Sequence, residues 1–562
     1  MAENCSGADA LLQSIRDAGC RFLFGLPGTT VSPVLDRLLA YPEIQYVLTK
    51  HETAAVAMAE GHARVTGVPA VVSLYMVVGL ANAISMMYNA YKSRTPMVVL
   101  ASQQDRALRL GTETVVDGDQ IHLVKGITRY AAEVPSADRL AEHFVRAYKQ
   151  AAGPLAPGPT FLSVPRDVLL SETKAEVPSI RGFQLAPRIE PPSDQVERAA
   201  ELLARADRPL IIAGSPVAAF DAVSDLMSVA EALACPVTDE YFISDRISFP
   251  RRHPCSIGQF RASSPWVSEA DVVLAIGCRL HHELNVRSTP RIAPGTKVIQ
   301  IHLEPEQLAI KYPAEVALLG DPRSSLRALR RAVERCLRPS DASRLEARRE
   351  RLAARADEER RSLDAMLCET TDGPLLKPWH VVRDIDEIAG RDARVVTELS
   401  SNTGCFYDFF QFRRPELAHG SSGCALGWGI GAAAGMKLAA PATPTIACVG
   451  DGAFLFGVQT LWTLANYRIP VVIVVFNNGG YYSTYLHTRE LGGLTRQTGR
   501  YAGGDMANDP TDCSIIARGF GVQAKRIADP TEFRSAFQRA LETNEPYVLD
   551  VPIDRLGHRP MG

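Results

Sequence analysis

Residues 445–478 read TIACVGDGAFLFGVQTLWTLANYRIPVVIVVFNN, and the spacing within this stretch decides the fold. The apolar runs before Gly450 and before Asn477 predict two buried strands, and the residues between them predict a helix. A helix that returns to a parallel strand forms a βαβ unit. Asp451 and Asn478, which are 27 residues apart, are therefore predicted to lie at the same carboxyl edge of a parallel sheet.

The residue types at this predicted edge favour a site for Mg²⁺ and a diphosphate. Carboxylate and amide oxygens suit Mg²⁺, a hard cation that usually keeps water and phosphate oxygens as its other ligands. The glycines on both sides of Asp451 allow the backbone to approach a diphosphate closely.

A rival motif lies nearby. Residues 429–434 read GIGAAA and fit the dinucleotide pattern G-x-G-x-x-A, with Asp451 about twenty residues further on. That pattern must follow a strand, whereas residues 417–426, LAHGSSGCAL, are small, polar and interrupted by glycine. The dinucleotide interpretation also leaves the pair Asn477-Asn478 without a role, so we favour the diphosphate site.

The composition is typical of a multidomain enzyme. The chain has 562 residues and a formal net charge of -2, and this balance gives no basic surplus for nucleic acid. Its 11 cysteines are scattered without a C-x-x-C pair, so neither a zinc ribbon nor a disulfide framework is indicated. The sequence shows neither the layout of a signal peptide nor an apolar run long enough for a membrane span, and we expect a cytoplasmic protein.

Short β-branched runs alternate with helical patterns along the whole chain, which is typical of parallel sheets covered by helices on both faces. We predict an α/β protein with three doubly wound parallel-sheet domains. The Pro-rich stretch 186–195 and a charged helix at 343–366 separate them. The predicted domains are residues 1–185, 190–340 and 373–562, with a charged helical linker at 341–372.

The Gly-Asp-Gly motif, followed at this distance by Asn-Asn, resembles the signature of thiamine-diphosphate-dependent enzymes. Within that family the chain is similar to the group of benzoylformate decarboxylase and acetolactate synthase, on residues 102–107, 253–258 and 461–479. The resemblance implies a pyrimidine-binding domain first, a middle domain second and a diphosphate-binding domain last.

The resemblance implies thiamine diphosphate and a Mg²⁺ ion, with the ion held by Asp451, Asn478 and the backbone carbonyl of Gly480. Ser400 and Ser401, which follow the strand RVVTE, match positions that bind the diphosphate in this family. The two serines equally fit helix caps. The further positions expected at the cofactor are Gly450, Gly452, Ala453 and Tyr481.

A carboxylate in the first domain is implied as the activator of the cofactor, because in this family it hydrogen-bonds the aminopyrimidine N1' and promotes loss of the thiazolium C2 proton. Residues 44–64, IQYVLTKHETAAVAMAEGHAR, resemble the family's strand, Glu and Ala-rich helix, and the matching residue is Glu52. A Glu at a helix start also fits a plain first-turn charge. The family-like residues 24–38 and 79–104 favour the activator.

Residues 421–429, SSGCALGWG, match the family segment that bends the cofactor into a V. Leu426 takes the position of the apolar wedge, and the Cys424 carbonyl is placed to accept from the 4'-amino group. Leu426 would look the same as an ordinary core residue.

The substrate side departs from benzoylformate decarboxylase. The positions of its pocket Ser and of its His match Thr29 and Tyr75, and the missing His removes a proton donor that titrates near neutrality. The alternative donors, each of which also fits a structural or surface His, are His51, His281, His282 and His487. An aromatic, apolar pocket for a bulky or aryl substrate, or else plain core, is predicted from Tyr75, Met76, Tyr481, Tyr482 and Tyr485.

The resemblance implies decarboxylation of a 2-oxo acid through an enamine, followed by aldehyde release or by carboligation to an aldehyde or keto acceptor. The alternatives are an acetolactate-synthase-like carboligase and a non-catalytic binding protein on the same fold. FAD in the middle domain is considered and not favoured, because PLIIAGSPVAAF (209–220) has only one glycine after its strand. In this family the two halves of a site come from different subunits, so a homodimer or homotetramer is expected.

Overall fold

The structure is a computed structural model that describes residues 4–110, 116, 118–174, 178–183, 188–240, 245–280, 292–369, 375–504, 506 and 511–555. Within these residues, three six-stranded sheets follow one another along the chain, and every strand pair in them is parallel. Helices cover both faces of each sheet. The prediction of three doubly wound α/β domains is therefore confirmed.

The first domain contains the first six-stranded sheet and a short antiparallel pair beside it. Its strands are β1 (Cys5–Ser6), β2 (Phe22–Gly25), β3 (Gln45–Leu48), β4 (Ala70–Leu74), β5 (Met97–Gln103), β6 (Ala131–Glu133), β7 (Pro159–Pro165) and β8 (Glu172–Thr173). Its helices are α1 (Gly7–Asp17), α2 (Ser32–Leu38), α3 (Glu52–Thr66), α4 (Met76–Lys92), α5 (Arg106–Leu110), α6 (Gln120–Val124), α7 (Ala137–Ala151) and α8 (Arg166–Leu170). The sheet order is β3-β2-β4-β5-β7-β6.

The middle domain has the order β11-β10-β9-β12-β13-β14. Its strands are β9 (Pro209–Ala213), β10 (Val237–Asp239), β11 (Ser256–Gln259), β12 (Val272–Ile276), β13 (Lys297–His302) and β14 (Val316–Leu319). Its helices are α9 (Ser193–Arg205), α10 (Pro216–Ala219), α11 (Val223–Leu233), α12 (Pro265–Ser268) and α13 (Pro322–Cys336). The charged stretch that follows forms one helix, α14 (Ala342–Leu367), with only Leu352 and Leu363 buried.

The third domain repeats the strand order of the first, as β16-β15-β17-β18-β20-β19. Its strands are β15 (Arg394–Glu398), β16 (Ala418–His419), β17 (Thr445–Gly450), β18 (Val471–Asn477), β19 (Gln523–Arg526) and β20 (Tyr547–Pro552). Its helices are α15 (Pro378–Ala389), α16 (Thr403–Phe409), α17 (Trp428–Ala439), α18 (Asp451–Gly457), α19 (Gln459–Tyr467), α20 (Tyr482–Glu490), α21 (Leu494–Thr498), α22 (Cys513–Gly519) and α23 (Phe533–Glu542).

The first and third domains pack against each other through α3 and α17. A Cβ on Gly61 would lie 2.0 Å from the Ala432 carbonyl oxygen, and a Cβ on Gly435 would lie 1.8 Å from the Met58 carbonyl oxygen. Glycine is needed here because the two helix backbones touch. The second glycine of the rival dinucleotide motif serves this packing, since a Cβ on Gly431 would lie 2.6 Å from the side chain of Ala57.

Each outer sheet has a point where the chain leaves a strand first to one side and then to the other. In the first domain this point lies between β2 and β4, and in the third domain it lies between β15 and β17. Ligands of open α/β sheets bind outside the carboxyl ends of the strands at such a point. In the described part of the chain, no helix is both long enough and apolar enough to cross a membrane.

Candidate active site

Asp451, Asn478 and Gly480 meet at the carboxyl edge of the third sheet. Asp451 is the first residue of α18 and is 4% exposed. The Gly480 N–H donates to Asp451 Oδ2 at 3.0 Å and to Asn478 Oδ1 at 3.1 Å. Two side-chain oxygens thus converge on one backbone nitrogen, next to a backbone carbonyl, and this set of hard oxygen donors fits Mg²⁺.

The electrostatics of this edge also favour a cation. Burial raises the pKa of Asp451 to about 6, although N–H groups of Gly452 and Gly480 oppose the shift. A nearby cation would favour the charged form of such a carboxylate. No group of three or more His, Cys, Asp or Glu that could hold a metal occurs in the described residues. A metal here would therefore depend on one carboxylate together with amide and carbonyl oxygens.

The turn around Asp451 is tightly packed. A Cβ on Gly452 would lie 2.5 Å from the ring of Tyr481, so this glycine makes room for the tyrosine. Ala453 is 6% exposed and joins the core behind the turn. The Gly450 backbone is extended, with φ of -74° and ψ of 160°, and the glycine precedes the helix as its N-cap.

Ser400 and Ser401 lie beside the metal-ligand candidates. They begin a 3-10 turn, Ser400–Asn402, directly after β15. The Asn478 amide nitrogen donates to Ser401 Oγ at 3.2 Å, so the serine turn and the Asn loop contact each other. Ser400 has φ of 44°, which is rare for a residue other than glycine and marks a constrained position at the switch point of the sheet.

The segment before α17 carries Cys424 and Leu426, and two residues that the sequence did not reveal hold it in place. Cys424 has a left-handed φ of 60°. Asn89 of the first domain accepts from the Ala425 N–H at 3.1 Å and donates to the Ala425 carbonyl at 2.9 Å. Asn89 is fully buried in an otherwise apolar stretch of α4, and that polar interruption is the signal that the sequence offered.

Glu398 is the second such residue. Its carboxylate accepts from the N–H groups of Gly427 at 2.9 Å, Trp428 at 3.2 Å and Gly429 at 2.9 Å, which are the free donors at the start of α17. Burial raises the pKa of Glu398 to about 7, although these three N–H groups oppose the shift. Glu398 and Asn89 together fix the backbone on both sides of Leu426.

The first-domain candidates lie at the carboxyl edge of the first sheet. Glu52 starts α3, is 5% exposed and accepts from the Asn82 amide at 3.0 Å. A Cβ on Gly79 would lie 2.9 Å from Glu52 Oε1, so α4 passes close to the carboxylate. Thr29 follows β2, and Tyr75 follows β4 with its ring against Gly28. The structure therefore brings Thr29 and Tyr75 to one switch point.

The cavity at the third-domain edge is built without described residues of the first-domain edge. A cavity of about 340 Å³ opens at the third-domain edge, and Ser400, Cys424, Leu426 and His487 line it. Among the described residues that line this cavity, none belongs to the first domain. The partner of Glu52 is Asn82 of its own domain. Glu52 and the cavity of the third domain thus lie in separate parts of the described chain.

The other histidine candidates have different positions. His487 lies on α20 at the cavity with its side chain half exposed and 3.6 Å from Glu490. His51 caps α3, where its Nδ1 accepts from the Thr53 N–H at 3.2 Å. His281 and His282 lie outside the described residues. Met76 is fully buried, and the rings of Tyr482 and Tyr485 on α20 are tilted against each other with centroids 5.2 Å apart.

Three family models match the chain in the order of its sheets. The N-terminal thiamine pyrophosphate binding domain matches residues 5–123, the central domain matches residues 196–329, and the C-terminal thiamine pyrophosphate binding domain matches residues 400–551. The chain is also 30% identical to the benzoylformate decarboxylase of Pseudomonas aeruginosa, over 97% of this chain and 98% of the relative. The chain belongs to the thiamine-pyrophosphate-dependent enzymes.

Further relatives in this family carry different activities. A probable acetolactate synthase large subunit of Methanocaldococcus jannaschii is 29% identical over 99% of this chain and 93% of its own length. Among solved structures, the thiamine diphosphate-dependent 4-hydroxybenzoylformate decarboxylase of Rhodococcus jostii RHA1 has a TM-score of 0.84 at 26% identity, with 98% of this chain and 99% of that chain covered. The family is thus established, and the reaction type within it is not.

The middle domain offers no glycine-rich turn for a flavin. The single glycine after β9, Gly214, is explained by packing, because its Cβ would lie 2.2 Å from the Gly277 carbonyl oxygen. A cavity of about 390 Å³ opens nearby and is lined by Arg64, Arg94, Arg188, Arg246, Arg279 and Arg323 among others. The absence of FAD stays a prediction.

Proposed function

We propose that this enzyme decarboxylates a 2-oxo acid with a bulky or aryl side chain, using thiamine diphosphate and Mg²⁺. The proposal rests on the meeting of Asp451, Asn478 and Gly480 at the third-domain edge. There the Gly480 N–H donates to a side-chain oxygen of each of the other two residues. The similarity to benzoylformate decarboxylase over nearly the whole chain supports the reaction class.

The third domain supplies the anchor in this proposal. Asp451, Asn478 and the Gly480 carbonyl hold Mg²⁺, and Ser400 and Ser401 lie where they donate to the diphosphate. Bound thiamine diphosphate supplies an electron sink for the electrons released with CO2.

The remaining contacts orient and activate the bound cofactor. Leu426 would support it, and the carbonyl of Cys424 would accept a hydrogen bond from its amino group. Glu52 from the first domain hydrogen-bonds its aminopyrimidine ring. Burial at 5% exposure keeps water away from the Glu52 carboxylate.

We propose that the active enzyme is a homodimer or a homotetramer, in which the first-domain edge of one subunit completes the third-domain edge of another. Glu52 and the 340 Å³ cavity belong to separate half-sites of one chain. Apolar side chains are exposed near both half-sites: Val78 at 49% and Tyr88 at 40% on α4, and Phe456 at 55% on α18. Burying such side chains against a second copy is favourable.

A second candidate function is carboligation of an acyloin or acetohydroxy acid. Tyr75 favours it, because a phenol transfers a proton to carbon at neutral pH less readily than an imidazolium. Slow protonation leaves more time for attack on a second carbonyl compound. The relative named as a probable acetolactate synthase supports the same alternative.

Product analysis tests both candidates. The enzyme, loaded with Mg²⁺ and thiamine diphosphate, receives benzoylformate or pyruvate, with and without an aldehyde, and CO2, aldehyde and acyloin are measured. We expect CO2 from benzoylformate and aldehyde as a product. Acetohydroxy acid from pyruvate as the main product would favour the ligase, and no CO2 from any 2-oxo acid, despite tight cofactor binding, would favour a non-catalytic binding protein.

A further inference from the structure

Two polar side chains of the third-domain cavity have no hydrogen-bond partner. His419, at the end of β16, is 3% exposed, and neither Nδ1 nor Nε2 of its ring has a partner. The buried Oγ of Ser421, two residues further on, also has none. Both residues line the 340 Å³ cavity of the third domain, together with Ser400, Cys424 and Leu426. Three unpartnered polar atoms therefore belong to residues that line the candidate site.

Such atoms are unusual in folded proteins. Leaving a buried donor or acceptor unpaired is unfavourable, and most buried polar atoms have a partner. Burial, together with the guanidinium groups of Arg246, Arg64 and Arg394, lowers the pKa of His419 far below its usual range. The ring is therefore neutral and offers one N–H donor and one bare nitrogen acceptor.

The cavity beside these atoms is aromatic. Phe406, Tyr407 and Phe412 line it, and the ring centroids of Phe406 and Tyr407 lie 6.2 Å and 5.5 Å from that of Phe412. All three side chains are at most 3% exposed. We call this part of the cavity, with His419 and Ser421, the aromatic recess. Its rings suit a planar aryl group, and its unpartnered atoms suit a hydroxyl group, which donates one hydrogen bond and accepts others.

We propose that the aromatic recess binds the side chain of the substrate, and that His419 and Ser421 select a 2-oxo acid whose aryl group carries a hydroxyl group. This inference rests on the proposed decarboxylase function and adds a substrate class to it. The bare nitrogen of His419 accepts from the hydroxyl group, and the hydroxyl of Ser421 donates to its oxygen. A site built to bond a hydroxyl group discriminates strongly against the analogue without it, because its buried polar atoms then stay unpaired.

Binding of unreactive analogues tests the recess without turnover. Mandelate, 3-hydroxymandelate and 4-hydroxymandelate have no keto group to react, and their dissociation constants are measured by calorimetry on the enzyme loaded with Mg²⁺ and thiamine diphosphate. We expect at least one hydroxymandelate to bind tenfold or more tightly than mandelate. Differences below twofold for both hydroxymandelates, or no binding of any of the three, would overturn the inference.

Variants then assign the preference to the two residues. His419→Phe should remove the preference by weakening hydroxymandelate binding about tenfold or more, with mandelate changed less than threefold, and His419→Gln should restore part of it. Ser421→Ala should reduce the preference. Ser483→Ala is the matched control, since Ser483 lines the same cavity on α20, and it should leave the preference unchanged.

Two outcomes separate this inference from the proposed function. If His419→Phe weakens thiamine diphosphate binding and leaves the preference intact, the atoms serve the cofactor and the inference is wrong. If the preference holds but wild type releases no CO2 from 4-hydroxybenzoylformate, 3-hydroxybenzoylformate or benzoylformate, the proposed function fails while the recess stands as a binding site. The ligand series on wild type needs no variant, so a misfolded variant leaves the test intact.

Discussion

The carboxyl edges of the first and third sheets have the same strand order and carry different chemistry. The third-domain edge holds its polar side chains through backbone hydrogen bonds, as at Asp451 and Asn478. The first-domain edge presents one buried carboxylate, Glu52, with a single amide partner. A rigid cluster of oxygens suits the anchoring of a metal and a diphosphate, whereas a lightly bonded carboxylate suits hydrogen bonding to a bound ring. The same frame thus supports an anchor at one edge and an activator at the other.

The largest effect on cofactor binding is expected at the anchor. Asp451→Ala should weaken Mg²⁺-dependent binding of thiamine diphosphate by roughly 100-fold or more, because it removes the only carboxylate of the proposed metal site. The fold should survive, since Asp451 starts a short helix. Fluorescence quenching measures the affinity, and Asp392→Ala on the surface is the control. Full affinity in Asp451→Ala would contradict the metal assignment.

At the activator, the effect should appear in turnover and not in affinity. Glu52→Gln should lower kcat for CO2 release by about 10²–10⁴-fold, with aldehyde and acyloin formation slowed equally. The affinity for thiamine diphosphate should change only a few-fold, because the anchor is intact. A loss of affinity as large as that of Asp451→Ala would mean that the two edges do not divide the work in this way.

Mixing the two variants tests whether the edges meet between subunits. Subunits of Glu52→Gln and Asp451→Ala are inactive alone, but a mixed dimer contains one site with both residues intact. After dissociation and reassociation of an equal mixture, we expect roughly a quarter of wild-type activity, from one working site in half of the dimers. Activity that stays at the level of the separate variants would show that one chain builds the whole site.

Glu398 should make the stability of the third-domain edge depend on pH. Its pKa in the folded state is raised from 4.5 to about 7 by burial, so its contribution to the free energy of unfolding is fully present below pH 4.5 and is lost as pH rises to about 7. The loss is at most about 3 kcal/mol. Denaturant unfolding of wild type and Glu398→Gln between pH 4.5 and 8 should show a steeper loss of stability with pH in wild type, because Asp451, whose pKa is also raised by burial, titrates in both proteins. Parallel profiles would contradict it.

The smallest effect is expected at Tyr75. Tyr75→His should raise the ratio of aldehyde to acyloin several-fold, because an imidazolium protonates the carbon that has lost CO2 more readily than a phenol does. The ratio is measured with a 2-oxo acid and an added aldehyde, alongside CO2 release. With CO2 release preserved, an unchanged ratio would show that Tyr75 does not face the reacting carbon.

Local patterns predicted the fold and the anchor well. The interval between Asp451 and Asn478 is one helix and one strand, so chain geometry alone brings the two residues to one edge. The strand runs are continuous because the sheets are covered on both faces, and in β18 all seven residues are buried. The glycines at 429 and 431 resembled a nucleotide motif, and the structure explains them by packing, because Gly429 lies against Val449 and Glu398 and Gly431 lies against Ala57 of α3.

Contacts between distant segments could not be predicted from the sequence. Asn89 bonds to Ala425 across two domains, and Glu398 bonds to the start of a helix 29 residues later. His419 lies in a small, polar segment where nothing marks it as buried. Such residues are recognised only when the partner, or the lack of one, is visible in three dimensions.

The contact between α3 and α17 would connect the two active sites of the proposed dimer. Glu52 begins α3, and Leu426 lies just before α17, so each subunit contributes one end of the same helix pair to each of two neighbouring sites in the proposed dimer. Because the helix backbones touch at Gly61 and at Gly435, the two helices are closely packed against each other. In the proposed dimer, each subunit then connects two sites through one closely packed helix pair, and we expect a displacement at one site to tilt the pair at the other.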